Sequence, residues 1–436
     1  MRFRDMAAAA AVGAAVIGGV AARSLAQSRT RAVFVPHYFP VNSVSPIGAT
    51  IAVFRISDSG DATLVENEPS GEWTQSIALS PSGRFIASAN GTSSTTTEEL
   101  RIFRVEADAS LTPLLQTTTP DSPLDMVWVT DDVLAVTRTQ SGGSSILTYR
   151  WNETASTLTP ADTKPSGYFN SAVTKHPTQP WIYTQDSGVF GGSRFVQRWT
   201  VAPNGVMTAG AVGASIDPPL APRISPDGRW MFSGTGAFGA NTVAAWSLDP
   251  ANGDPAEITE VGSPFFSPGD TPYWTAVTAD SRFLFVGHTR DDTVRTFEID
   301  QVTGAISPTG FSFDAGPRSS LGPFAVLDNF LIVLKDSNDP IGMWVFRIEQ
   351  NGDLTQIGPL HSTGNRRPEL DIAVWSPPVA PTCRVDVDGD GTASVGDIFA
   401  YLGLWFAGDA RADFDGAPGI TTQDIFDFLG AWFAGC

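Results

Sequence analysis

Short apolar runs alternate with polar turns along most of the chain. The clearest instance is Ser225-Pro-Asp-Gly-Arg-Trp-Met-Phe232, and related sequences recur at Ser80–Ile86, Thr278–Leu284 and His176–Ile182. Proline presets φ at the first turn position and glycine accepts a positive φ, so each phrase predicts a tight reversal followed at once by a strand. The recurrence indicates an internal repeat.

Each repeat has two halves. The first is a strand pair around the turn, as in Gln75–Leu79 and Phe85–Ala89, and the second is an alternating strand, a turn and another strand, as in Leu100–Val105 and Leu111–Leu114. Alternation over short runs bounded by turn residues is typical of strands. Six such units of roughly fifty residues open near Gln75, Leu124, Ser171, Ala221, Trp274 and Gly322.

A seventh unit is divided between the two ends of the repeat region. Asp371–Trp375 is a lone first strand, while Ala32–Val35, Ile51–Phe54 and Thr63–Val65 supply the other three. Four short antiparallel strands repeated radially are typical of a β-propeller, and the incomplete ends share one blade if the ring closes. A linear solenoid and two sandwiches are the alternatives, but a solenoid needs polar capping repeats. We therefore predict a mainly β fold, a seven-bladed β-propeller over residues 27–377.

One polar position follows the second strand of every unit. In chain order these residues are His37, Asn90, Arg138, Asp186, Thr235, His288 and Lys335, with Arg290 just beyond His288. Because equivalent strand ends converge near a propeller axis, they predict a ring that binds an anionic or hydroxyl-rich small molecule. No catalytic residue is assigned, but His37, His288 and Arg290 are candidates if the ligand is a lactone, with either histidine as general base. Polar residues in contact with water are also expected wherever a strand leaves a sheet.

The composition changes after a proline-rich linker at residues 378–382, where two copies of an acidic loop begin. In the first copy, oxygen ligands occupy loop positions 1, 3, 5, 9 and 12, and the backbone carbonyl of position 7 adds another. This spacing wraps a hard cation such as Ca²⁺ in six or seven oxygens. The ligands predicted in this copy are Asp386, Asp388, Asp390, Thr392, Ser394 and Asp397.

The second copy is less complete. It keeps Asp413, Asp415, Thr421 and Asp424, whereas Ala417 removes the ligand at position 5 and Pro418 replaces the turn glycine. We expect this loop to bind calcium more weakly or not at all.

Each loop leads into a helix with the same apolar spacing, which places five residues near one helical face. The two faces are expected to pack together into a small core, made of Ile398, Phe399, Leu402, Trp405 and Phe406 with Ile425, Phe426, Leu429, Trp432 and Phe433. The predicted helical unit covers residues 383–436. Its only cysteines, Cys383 and Cys436, are the only two in the chain and bracket it, which predicts a disulfide if the protein is exported.

Composition and the N-terminal segment indicate where in or outside the cell the protein is located. The 436 residues carry a net charge of -19, which excludes nucleic acid and anionic membrane surfaces as attractive partners. Residues 1–26 resemble a secretory signal, with Arg2 and Arg4 before an apolar run and a cleavage site at Ser24-Leu-Ala26. An uncleaved anchor is the alternative, and no other run approaches membrane length. We expect a secreted or cell-surface protein with no membrane span in the mature chain.

The second halves of the units share a pattern that is clearest in Ile51–Ile56, Leu100–Val105, and Trp344–Ile348 with Gly352–Thr355. This pattern resembles the lactonase-type seven-bladed propellers, which include 6-phosphogluconolactonase and the fungal muconate lactonizing enzyme. The resemblance covers about residues 31–377 and implies the fold more than the activity. The family's catalytic His, Glu and Arg have no assigned counterparts in this sequence.

The C-terminal segment resembles a dockerin domain, a duplicated calcium loop with a helix after each loop. Its ending, Ala434-Gly-Cys436, resembles the GC-type dockerin-like modules of exported proteins. Cellulosomal dockerins commonly place Ser-Thr at loop positions 10 and 11, where this chain has Val395-Gly396 and Thr422-Gln423. The resemblance implies a protein partner at a surface, cohesin-like or of another kind.

Three functions follow from these features. The favoured one is an exported protein whose C-terminal module binds calcium and attaches it, with the propeller as a ligand- or protein-binding platform. The first alternative is a hydrolase that acts on a lactone or sugar derivative at the polar ring. The second alternative is a purely structural surface protein, for which a large apolar patch on one propeller face is expected.

Overall fold

The computed structural model describes most of the chain from residue 30 onward. The described residues are 30–40, 49–71, 74–91, 98–119, 122–140, 143–167, 172–188, 194–235, 241–316, 320–336, 341–363, 366–368, 371–376, 384–387, 394–409, 412–414 and 419–434. The predicted signal segment and both cysteines lie outside them.

The strands that begin the ring are β1 (Arg31–Pro40), β2 (Ala49–Ile56) and β3 (Ala62–Gly71). Blades 1 to 3 contain β4 (Thr74–Leu79), β5 (Phe85–Asn90), β6 (Glu99–Val105), β7 (Leu111–Thr118), β8 (Ser122–Thr130), β9 (Val133–Gln140), β10 (Gly143–Asn152), β11 (Thr157–Gly167), β12 (Val173–Lys175), β13 (Trp181–Asp186), β14 (Phe195–Val201) and β15 (Met207–Ala214). Each of these three blades is a four-stranded antiparallel sheet.

Blades 4 to 6 contain β16 (Leu220–Ile224), β17 (Trp230–Gly234), β18 (Thr242–Leu248), β19 (Pro255–Glu257), β20 (Phe265–Phe266), β21 (Pro272–Val277), β22 (Phe283–His288), β23 (Thr293–Ile299), β24 (Ile306–Asp314), β25 (Leu321–Leu327), β26 (Phe330–Lys335), β27 (Gly342–Ile348) and β28 (Leu354–Ser362). Blade 4 carries β20 as an additional strand on β18, after a short 3-10 helix at Thr259–Val261. The chain then forms β29 (Arg366–Pro368), β30 (Ala373–Trp375), α1 (Val395–Ala407) and α2 (Thr422–Ala434).

Blade 7 is assembled from both ends of the repeat region, as the sequence predicts. β30 pairs with β1 in the register Val33 to Val374, and β1 pairs in turn with β2 and β2 with β3. β29 adds a second short pairing to β1 at His37. The closed ring leaves few exposed sheet edges. The mainly β fold, the seven blades and the small helical unit after them are confirmed.

The repeated turn phrase is explained by a hydroxyl group that caps the turn. The Ser225 hydroxyl accepts from the backbone N–H of Trp230 at 3.0 Å and donates to Asp227 at 2.5 Å. Gly228 adopts a φ of 75° at this turn and packs so closely on the His176 ring that a Cβ would lie 2.5 Å from it. A side chain is therefore excluded by both conformation and space.

Helices α1 and α2 run antiparallel. The indole N–H of Trp405, late in α1, donates to the carbonyl of Thr421 just before α2 at 2.8 Å, and Trp432, late in α2, donates to the carbonyl of Ser394 just before α1 at 2.9 Å. Between these ends the Tyr401 and Phe428 rings stack at 4.0 Å. The reciprocal bonds join the end of each helix to the loop before the other one.

The core of this helical unit differs from the predicted one. Its fully buried residues are Val385, Tyr401, Ala412 and Phe428, with Ile398, Trp405, Ile425 and Trp432 packed against them. The prediction is wrong for Phe399, Phe406, Phe426 and Phe433, which are 71%, 77%, 67% and 80% exposed. An α-helix turns about 100° per residue, so of two adjacent apolar residues only one points into a narrow two-helix core.

Candidate active site in the central channel

The first strand of each blade lines a central cavity of about 550 Å³. One lining residue from each of the seven blades is Ile77, Met126, Thr174, Ile224, Thr275, Phe324 and Ala373. This volume lies within the range of small-molecule sites. Most of the wall is apolar, so the few charged residues on it determine the chemistry that the cavity can perform.

Two carboxyl groups share one hydroxyl group at one end of the channel. Asp125 lies early in β8, and Asp371 precedes β30. The Ser76 Oγ on β4 lies 3.0 Å from Asp125 Oδ1 and 3.0 Å from Asp371 Oδ2. Three neighbouring blades, 7, 1 and 2, therefore bring their first strands together at this pair, which we call the acid pair.

The two acids have different surroundings. Among the described residues, Asp125 also accepts hydrogen bonds from the backbone N–H groups of Met126 and Val173, both at 2.8 Å, whereas Asp371 accepts one, from the backbone N–H of Ile372 at 2.8 Å. Donors of this kind stabilise the ionised form of a carboxyl group. Asp125 is therefore the better-supported anion of the two.

Burial raises the pKa of Asp371 to about 7, and the nearby charge of Asp125 acts in the same direction while Arg223 opposes it. Burial also raises the pKa of Asp125. Two like charges this close disfavour joint ionisation, so one proton remains on the pair near neutral pH. The difference in backbone donors assigns that proton to Asp371.

Arg223 on β16 supplies a positive charge beside the pair. Its guanidinium lies 3.9 Å from Asp371 Oδ1 and donates to the carbonyl of Pro222 at 3.3 Å. A guanidinium has five N–H donors, and among the described residues only the Pro222 carbonyl accepts from this one within hydrogen-bond distance, so other donors can reach a molecule in the channel. Tyr273 lies nearby, and burial together with the charge of Asp125 raises the pKa of its phenol, which keeps it neutral.

The structure places the predicted polar ring at this same end of the blades but one strand farther from the axis. Antiparallel pairing sets Asn90 opposite Thr74 and Lys335 opposite Leu321, at the starts of first strands. His37, Asn90, Asp186, Thr235 and His288 are at most 2% exposed. The ring therefore lies mostly within the sheets, and its role in binding remains a prediction.

The side chains of the predicted polar ring form hydrogen bonds within their own blades. Thr74 donates to Asn90 at 2.7 Å, Arg138 to Ser145 at 2.8 Å and Thr235 to the carbonyl of Thr242 at 2.8 Å. Gly188 donates to Asp186 at 3.0 Å, and the His37 ring lies 3.2 Å from the Thr50 hydroxyl. These bonds satisfy polar groups that the sheets enclose.

The candidate bases differ from Arg290 in their exposure. The His288 Nε2 lies 2.7 Å from the Ser267 hydroxyl, and burial lowers the pKa of His288 to about 4. Gly269 covers the ring so closely that a Cβ would lie 2.4 Å from it. Arg290, by contrast, is mostly exposed and lies 3.4 Å from Asp270. His288 is thus a neutral, enclosed imidazole.

Sequence reasoning missed Asp125, Asp371 and Arg223 as a site. The available signal was that a charged residue stands inside or next to an otherwise apolar first strand, as in Asp371–Trp375. An ionisable residue facing the axis of a closed ring is costly to bury, and such residues cluster at functional sites.

The two predicted calcium loops are described only in part. Asp397 accepts backbone N–H groups of Val387 and Ser394 at 2.6 and 2.7 Å, and Asp424 accepts those of Phe414 and Thr421 at 2.7 Å each. Both aspartates are fully buried and close their loops in the same way. The carboxylate and hydroxyl donors are of the kind that fits Ca²⁺.

Several predicted ligands of the helical unit, and both cysteines of its predicted disulfide, lie outside the described residues. They are Asp388, Asp390, Thr392, Asp415, Cys383 and Cys436. Calcium binding and the disulfide stay predictions. Within the described part of the chain, no helix is long and apolar enough to cross a membrane.

Comparison with known proteins supports the lactonase-type propeller fold. A family model of seven-bladed β-propeller lactonases matches residues 220–321. A candidate 6-phosphogluconolactonase from Bacteroides uniformis is 16% identical, with a TM-score of 0.64 over 80% of this chain and 100% of that one. The propeller has the lactonase-type fold.

Two further solved structures share this fold. The periplasmic gluconolactonase of Pseudomonas aeruginosa is 18% identical, with a TM-score of 0.62 over 80% of this chain and 99% of that one. A protein of unknown function from Desulfotomaculum acetoxidans is 15% identical, with a TM-score of 0.59 over 80% and 99% of the two chains. No curated protein matches the sequence.

Proposed function

We propose that the propeller hydrolyses a lactone or related cyclic ester of a sugar derivative at the acid pair. The similarity to lactonase propellers favours this activity over the binding platform that the sequence alone favours. The observation that carries the proposal is the contact of Asp125 and Asp371 with one hydroxyl, because it holds a base and an acid side by side at neutral pH.

The reaction needs three groups from the chain. Asp125 takes a proton from a water molecule as the water oxygen bonds to the carbonyl carbon of the lactone. Arg223 donates hydrogen bonds to the carbonyl oxygen as negative charge develops on it. The ring C–O bond then breaks, Asp371 gives its proton to the departing alkoxide, and the product is the open hydroxy acid.

The composition of the channel wall suits this chemistry. Apolar residues such as Ile77, Ile372 and Phe324 form much of its wall. Electrostatic interactions between the guanidinium and a developing oxyanion are stronger in such surroundings than in bulk water.

The proposal is tested by assaying the purified full-length protein with δ-gluconolactone and other sugar lactones in a pH-stat. Asp125→Asn should reduce kcat by about 100-fold or more, because it removes the general base. Asp132→Asn is the matched control, since Asp132 is an exposed carboxylate of the same blade. Failure to accelerate any lactone, or equal rates in Asp125→Asn and wild type, would contradict the proposal.

We further propose that the helical unit attaches the protein to a partner at a cell surface, with calcium holding its loops. The exposed phenylalanines favour this second function. Phe399 and Phe406 form a stripe on α1, and Phe426 and Phe433 form the equivalent stripe on α2. The reciprocal bonds of Trp405 and Trp432 relate the two antiparallel helices by an approximate two-fold axis, from which we infer that both stripes emerge on the same side of the pair.

This surface, which we call the phenylalanine face, presents four aromatic side chains that are 67% to 80% exposed. Exposed apolar side chains gathered on one face mark a candidate interaction site. We expect the partner to be a cohesin-like or other surface protein with an apolar patch of its own.

Attachment is tested with the full-length protein and isolated cell envelopes, with and without protease treatment of the envelopes. Envelopes that have not been treated with protease should retain the wild type when calcium is present and release it when calcium is removed. The Phe399→Asp, Phe426→Asp double variant should not bind in either condition. Val302→Asp is the control, since Val302 is an 86% exposed apolar residue of the propeller. Equal retention of the double variant, or binding that survives proteolysis, would contradict a protein partner at this face.

A further inference from the structure

Ser76 occupies the centre of the acid pair. It lies in the first strand of blade 1, is 1% exposed, and pairs across the sheet with Ala89. Its hydroxyl oxygen is at the same distance, 3.0 Å, from both carboxyl groups. The position is enclosed, so the hydroxyl has few alternatives to these two neighbours.

A hydroxyl group has one proton to donate, and this limits the protonation states that fit the geometry. When the pair holds one proton, Ser76 donates to Asp125 and accepts from Asp371, and both contacts are hydrogen bonds. When the pair holds none, one of the two contacts places oxygen against oxygen without a proton between them. When it holds two, Asp125 loses the charge that its backbone donors stabilise.

We propose that Ser76 is a positioning residue that keeps the acid pair in its singly protonated form over a wide pH range. The effect on rate rests on the proposed lactone hydrolysis, for which this form is the active one. The preference for one proton rests on the geometry alone.

The other titratable and charged groups near the pair act from different places. Arg223 and Tyr273 lie at the same end of the channel, and Arg223 favours ionisation of both acids. Lys175 and His176 line the channel from β12 and the turn that follows it. None of these groups bridges the two carboxyls in the described structure, so none can substitute for the hydroxyl.

The test compares the pH dependence of kcat/KM for wild type, Ser76→Ala and Ser76→Thr. The acidic limb reports ionisation of Asp125, and the alkaline limb reports loss of the proton from Asp371. Without the hydroxyl, the acidic limb should move up and the alkaline limb down, each by about one pH unit. Ser76→Thr keeps the hydroxyl and should keep the width of the profile.

A purely structural role predicts something else. In that case Ser76→Ala lowers the maximum rate and leaves both limbs in place, which would overturn the proposal. Circular dichroism of the variants at one pH confirms that the propeller is folded before the profiles are compared.

A second readout needs no substrate. The free energy of unfolding of wild type and Ser76→Ala is measured from about pH 4 to pH 9, and the difference should be largest where the pair holds one proton. A difference that is constant with pH overturns the proposal. If no lactone is hydrolysed but the difference depends on pH, the proposed activity fails and the role of Ser76 stands.

Discussion

The guanidinium of Arg223 stands 3.9 Å from Asp371, close enough to attract it but too far for a bidentate ion pair. The arginine is thus held at the channel wall without a close ion pair to Asp371. An arginine in this position is suited to bind an oxygen that becomes negative during a reaction.

Replacing this arginine should therefore affect the reaction more than the fold. Arg223→Gln should lower kcat for lactone hydrolysis by about 100-fold, because it removes the charge that stabilises the oxyanion. Arg229→Gln, which changes an exposed arginine at the turn of the same blade, is the control. A rise in KM with unchanged kcat would instead indicate that Arg223 only binds the ground state.

Asp371 makes the stability of the propeller depend on pH. Its folded-state pKa is raised from an ordinary value of 3.8 to about 7, so the folded chain keeps a proton that the unfolded chain releases in that interval. Stability should fall as pH rises through this window. Between about pH 4 and pH 7, wild type should lose on the order of 3 kcal/mol relative to Asp371→Asn.

Denaturant unfolding of both proteins at several pH values measures this difference. The Asp132→Asn variant is the control and should follow the wild-type curve, since Asp132 is an exposed residue in the turn between β8 and β9. Parallel curves for wild type and Asp371→Asn would show that Asp371 is ionised throughout.

His288 should have a structural effect with the opposite dependence on pH. Its folded-state pKa is depressed from 6.5 to about 4, so the folded chain binds fewer protons than the unfolded chain between these values. Its contribution is fully present above about pH 6.5 and is lost as the pH falls toward 4.

His288→Ala should therefore destabilise the propeller by about 2 kcal/mol at neutral pH and less in acid. The activity of the folded fraction should remain near that of wild type, because the ring lies below the surface against Ser267. Thermal melts and assays on the same samples measure both effects. A collapse of kcat in folded protein would restore His288 as the catalytic base.

Calcium should stabilise the helical unit of the full-length protein. A ligand at about 100 times its Kd stabilises a folded state by about 2.7 kcal/mol, so calcium should raise the melting temperature of that unit's transition. Asp386→Asn should reduce the shift, whereas Asp427→Asn on α2, outside the proposed ligands, should not. Calorimetry with calcium and with chelator measures the shift, and identical scans would exclude a calcium site.

Much of the ring could be predicted from the sequence because every blade repeats the same local chemistry. The Ser225 hydroxyl caps its turn by contacts within a few residues, and these leave a trace in the sequence. The division of blade 7 between the chain ends was equally visible, because Asp371–Trp375 lacks the strands that Ala32–Val35 begins.

The acid pair could not be predicted in the same way. Asp125 and Asp371 are far apart in the sequence, although their blades are near one another in the ring. Their contact with Ser76 exists only once the propeller is closed. The predicted polar ring was visible when the repeats were aligned with one another. Such an alignment does not tell whether the side chain at a strand end faces the propeller axis or the interior of its sheet. His288 illustrates the second case.

The helical unit shows a limit of periodicity. Ile398 and Phe399 are both apolar, and spacing alone assigned both to the core. The stacking of Tyr401 on Phe428 fixes which direction faces inward and leaves Phe399 outside.

The most direct test of the central claim is a double-mutant comparison of lactone hydrolysis by wild type, Asp125→Asn, Asp371→Asn and the double variant. If the two acids act as one unit, each single substitution should reduce kcat by about 100-fold or more, and the double variant should be little slower than either. Independent, multiplying effects, or single variants as active as wild type, would contradict the claim that the acid pair performs the reaction.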